Sequence, residues 1–167
     1  MFAEHIAPLG RIVEEMGLFE KLRARISGPR LIDELEVLAG HCEELVNRMR
    51  LHAERATLYP AIADEVRAIA EREAAHERTL RGILADSGRW PRPPENLPRD
   101  GSNNWERLSG DLEILVQFTV ELQRQAMRWE SENLAIGETL NKIASEASDS
   151  EFKLRRLTAK LDPQALD

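Results

Sequence analysis

At 167 residues and a formal charge of −7, with 42% hydrophobic and 5% aromatic content, the chain can bury one core but lacks the clustered basic surface of a nucleic-acid binder. Arg and Glu alternate along helical stretches, the pattern of a solvated, ion-paired face. No apolar run reaches the ~18 residues of a membrane span, and Met1-Phe-Ala-Glu-His-Ile-Ala-Pro has neither part of an export signal. The single Cys42 excludes an internal disulfide framework. One cytoplasmic domain over residues 1–167 is expected.

The first helix is expected over 2–27, on the period of Phe2, Ile6, Leu9, Val13, Met16 and Ile26. Pro8 is tolerable only near a first turn, which starts it close to His5, and Ser27-Gly28-Pro29 ends it. A second helix follows over 31–57, with Leu31, Leu35, Leu38, Cys42, Leu45 and Met49 on its apolar stripe. Cys42 reads there as a core thiol, and His52 falls on the same stripe as a core or interface histidine. Pro60 suits the first turn of a third helix, 60–85, which carries Glu73 and His76 and is capped by Asp86-Ser87-Gly88.

Residues 86–104 hold four prolines and no helical period. Flanked by Trp90 and Trp105, this connection is expected to lie against the helices. Asn103-Asn-Trp-Glu106 is a helix start. The fourth helix is expected to continue to Ala147 through Leu108, Leu115, Leu122, Trp129, Asn133, Ile136 and Leu140, with Gly137 its weak point. Ser148-Asp-Ser-Glu151 reads as a capping box that restarts a short last helix, stopped by Pro163. The fold expected is all-α: an antiparallel up-down-up-down four-helix bundle with a short extra C-terminal helix.

Two echoes run through the chain. Arg50-x-x-x-Glu54 recurs as Arg128-x-x-x-Glu132, and Ala3-x-His5-x-x-x-Leu9 recurs as Ala74-x-His76-x-x-x-Leu80. With Leu58-Tyr59-Pro60 after Glu54 and Trp129-Glu130-Ser131-Glu132, the layout resembles the hemerythrin-like, or HHE cation-binding, family. That resemblance implies a di-iron four-helix bundle and assigns His5, Glu54, His76 and Glu132 as one metal ligand per helix. The family's His-x-x-x-Glu histidines are here Arg50 and Arg128. A guanidinium does not ligate and repels a nearby cation. Each stands one turn before a Glu, so ion pairs in place of metal are expected.

The cofactor expectation is therefore none, or iron. The function expected is a non-catalytic binding, sensing or scaffold module. The alternative is a working iron protein, through the same ligands or a ferritin-like set built on Glu73-x-x-His76, with Glu44, Glu121 and Glu146-x-x-Asp149. His41-x-x-Glu44 is read as solvated. No phosphate loop, zinc spacing or nucleophile elbow supports another enzyme class. A homodimer through the long fourth helix is the partner expectation.

Overall fold

The computed structural model describes residues 9–163, with side chains from Leu31 onward. His5 and the start of the expected first helix lie outside the described residues. Four helices form: α1 Leu9–Arg55, α2 Pro60–Asp86, α3 Asn104–Glu132 and α4 Leu134–Lys160. There is no strand among the described residues, and none of their helices is long and apolar enough to cross a membrane.

Three boundaries differ from the sequence reading. Ser27-Gly28-Pro29 does not end a helix, because α1 runs through it; a proline deletes one backbone bond without preventing the turns on either side. The expected fourth helix breaks at Asn133, whose extended backbone (φ −152°, ψ 99°) cannot continue it. Its N–H donates to the Trp129 carbonyl at 2.6 Å and its side-chain oxygen accepts from the Ile136 N–H at 3.3 Å. One residue thus closes one helix and caps the next. Gly137 permits the tight reversal, since a Cβ there would sit 2.7–2.9 Å from Glu130. Finally, Ser148 does not restart a helix. The buried stripe Ile143, Ala147, Ser150, Leu154, Leu157 passes it without interruption in α4.

Other signals act where expected. Pro60 opens α2. Gly88, at φ +66°, ends it, with Arg89 N–H on the Leu84 carbonyl and Gly88 N–H on that of Ala85. A left-handed residue there lets the last carbonyls find partners. Asn103 caps α3 through the Glu106 N–H at 2.9 Å, while the Glu106 carboxylate accepts from Ser102.

Packing joins α1 to α2 and α3, and α4 to α3 and α2. The core holds Leu35, Leu38, Leu45, Met49, Leu80, Phe118, Leu122, Leu140 and Leu154, all buried. Apolar burial of this kind, at ~25 cal/mol per Å², dominates the stability of such a body. Cross-helix pairs give the directions. Glu34 of α1 meets Arg124 and Arg128 of α3, while Arg48 meets Asp111. Glu65 of α2 meets Lys160 of α4, while His76 meets Glu146. Arg50 meets Glu71 and Glu43 meets Arg81 across α1 and α2. In each pair, residue numbers rise on one helix as they fall on the other.

α2 and α3 therefore run the same way, and the order is up, down, down, up rather than the expected alternation. The physical reason is the connection 87–103, which carries the chain back along α1. Arg89 pairs with Asp33 and Glu36, and the Arg92 N–H donates to the Glu36 carbonyl at 2.9 Å. Further on, Arg48 donates to the Pro98 carbonyl at 3.1 Å, and Asp100 reaches His52 and Arg55. This strap passes so close to α1 that a Cβ on Gly40 would lie 2.6 Å from the Arg92 carbonyl carbon.

Candidate functional site

Two buried histidines each lie between two carboxylates. On the α2–α4 seam, His76 Nδ1 is 2.9 Å from Glu73 Oε2 and its Nε2 is 2.9 Å from Glu146 Oε2. Glu73 and His76 sit three residues apart on α2, which stacks them on one face. Glu73 is 0% exposed, and its Oε1 has no hydrogen-bond partner. Burial pulls the His76 pKa down, but the hydrogen bonds and charges of Glu73, then Glu146, outweigh it and hold the ring above its ordinary 6.5. The bond from His76 is the main cause holding Glu146 below its ordinary value. Only an imidazolium donates from both nitrogens, so the charged ring fits this bridge.

Cys42 stands beside this group, its thiol donating to the Glu73 carbonyl at 3.4 Å. Burial first, then the charge of Glu73, pushes the thiol pKa well above its usual range. It is an inert core group at neutral pH.

The second bridge pins the strap. His52 Nδ1 lies 2.6 Å from Asp111 Oδ2, and Nε2 lies 2.8 Å from Asp100 Oδ1. Asp111 is 0% exposed and also accepts from Arg48 Nε at 3.2 Å. Asp100 is half-exposed, and hydrogen bonds from Arg55 and then His52 lower its pKa to about 2. The sequence reading placed His52 in the core but did not find its partner. The available signal was an acid at position 111, on the stripe of Leu108, Leu115, Phe118 and Leu122.

The ligand set implied by the resemblance does not converge among the described residues. Glu54 and Glu132 are exposed near the ends of α1 and α3, while His76 is buried within α2. Arg50 is 46% exposed and turns to Glu71 at 2.9 Å rather than to Glu54; Arg128 pairs with Glu34 rather than Glu132. Neither guanidinium fills the interior. Of the ferritin-like set, Glu73, His76 and Glu146 do meet, but Glu121 lies on the α1–α3 side, bonded to Arg124 and Gln125. Among the described residues, no group of three or more His, Cys, Asp or Glu side chains is placed to hold a metal ion. No protein-family model matches this chain, and no curated protein matches it with significance.

Proposed function

We propose that this chain is a non-catalytic helical module for binding, sensing or scaffolding, in which a buried ion-paired histidine takes the place a metal holds in iron-binding bundles. The observation that supports this is the engagement of both His76 ring nitrogens by Glu73 and Glu146 at 2.9 Å. A metal ligand needs a free nitrogen lone pair, and hydrogen bonds to two carboxylates leave His76 none. The hemerythrin-like resemblance stays within the proposal as a likeness of short motifs, without a role for their residues in ligation.

A second reading, a working iron protein with ferritin-like ligands, draws on two observations. Glu73-x-x-His76 meets Glu146 in the interior, and a single long crossover joins the two helix pairs, as in ferritin-like folds. Metal analysis of protein purified without chelator decides between them. The metal-free module shows iron well below one equivalent in both wild type and His76→Ala. Stoichiometric iron that disappears in His76→Ala would establish the second reading instead.

A further inference from the structure

At the α1–α3 seam, away from both histidine bridges, lies a groove of about 340 Å³. Leu38 and Phe118 form its buried floor and half-buried Val37 one wall. Its charged lining is Glu34 from α1 and Glu121 from α3, with His41 also lining it. Arg124 ties the two acids across the seam, bonding Glu34 Oε2 at 2.9 Å and Glu121 through both Nε and Nη2. Burial works against the Glu121 charge, but Arg124 and Gln125 overcome it and keep the carboxylate below its ordinary pKa.

His41 adds a third acceptor. Burial dominates its titration and holds it below 6.5, against the opposing charge of Glu121 and a hydrogen bond to the Val37 backbone. At neutral pH the ring is uncharged. With one N–H given to the backbone one turn earlier, its other nitrogen accepts. An apolar floor beneath two carboxylates and an imidazole nitrogen suits a ligand that donates hydrogen bonds and carries positive charge. The seam already places one cation, the Arg124 guanidinium, between these acids. A volume at the small end of ligand sites restricts the apolar body to about one ring.

We propose that this groove binds a small organic ammonium compound with a compact aromatic or branched apolar group. The site shares no residue with the His76 bridge, so its failure leaves the metal-free reading standing.

Isotope-labelled protein titrated with benzylammonium, benzoate and benzyl alcohol tests this by amide chemical shifts. Benzylammonium is expected to give saturable shifts confined to residues near 34–41 and 117–121. Benzoate, the same ring with reversed charge, should bind about tenfold more weakly. Gln117 lines the groove but is exposed, so charge changes there spare the core. Gln117→Glu should tighten benzylammonium about threefold, and Gln117→Lys weaken it by a similar factor, the scale of one exposed charge pair. Benzoate binding as well as benzylammonium, shifts lying elsewhere, or two Gln117 variants with equal affinity would each overturn the proposal.

Discussion

Two helical glycines should respond to alanine with opposite signs. In a solvent-facing helix interior, Gly→Ala stabilises by about 0.5–1 kcal/mol, because glycine loses more backbone freedom on folding. Gly82 meets that condition: it is exposed on α2, and a Cβ there has nothing within 4 Å. Gly40 on α1 does not. Its Cβ would stand 2.6 Å from the Arg92 carbonyl carbon and 3.3 Å from the Arg92 nitrogen, where ordinary contact begins at 3.4 Å. These are backbone atoms, so relief requires the strap to retreat. Retreat breaks the 2.9 Å bond from Arg92 N–H to the Glu36 carbonyl, about 1 kcal/mol, and loosens the half-exposed Arg92–Glu36 pair, which adds a few tenths at most. With overpacking strain of about 1–3 kcal/mol, the loss exceeds the propensity gain. Urea unfolding should place Gly82→Ala above wild type by about 0.5–1 kcal/mol and Gly40→Ala below it by about 1–3. If Gly40→Ala proved as stabilising as Gly82→Ala, the close passage of the strap over α1 would be refuted.

Further outcomes follow from the polar core and the helix break. Glu73→Leu or His76→Leu alone should cost about 3–5 kcal/mol by leaving a buried charge unpaired, whereas the double variant should recover most of it; chemical denaturation of all three checks this, and a double variant as unstable as their sum would refute it. Because the His76 pKa is raised, its contribution is complete below pH 6.5 and is lost as pH rises through the folded value. The urea midpoint should therefore fall on the alkaline side of 6.5, less steeply in Glu146→Gln; a profile unchanged by that substitution would exclude the bridge as its source. Asp100 has a lowered pKa, so its contribution is present above pH 3.8 and lost as pH falls towards about 2. Trp90 fluorescence, read along that acid limb, should lose its transition in Asp100→Asn. Asn133→Ala should cost about 1 kcal/mol by removing the cap of α4, read as a lower thermal midpoint.

Much of the bundle was legible because local chemistry agreed with tertiary packing. The 31–55 stripe, Pro60 at a first turn and the Gly88 stop each depend on residues a few positions apart. The reversal at Asn133 was hidden for a physical reason. Trp129, Ile136 and Leu140 keep one apolar period across it, so periodicity cannot distinguish one long helix from two folded back on each other. The single polar residue between them, which caps in both directions, was the only local mark. The His52–Asp111 and His76–Glu146 pairs join residues 59 and 70 positions apart. No short motif records them, and they needed the helix directions. Arg50 and Arg128 misled because spacing puts an Arg and a Glu on one helix face without saying that the face points inward.

The strap also decides how the molecule is divided. It is the only covalent link between two helical hairpins, α1–α2 and α3–α4, and it spans the length of the body. Two chains whose straps have peeled from α1 present each other with the same complementary surfaces that each chain offers itself, so reciprocal hairpin exchange builds a dimer with no new interface. Refolding at rising protein concentration should then yield a growing dimer fraction by light scattering, larger in Gly40→Ala, where the strap is held less firmly. A dimer fraction indifferent to both would show that the hairpins close on each other before a second chain arrives.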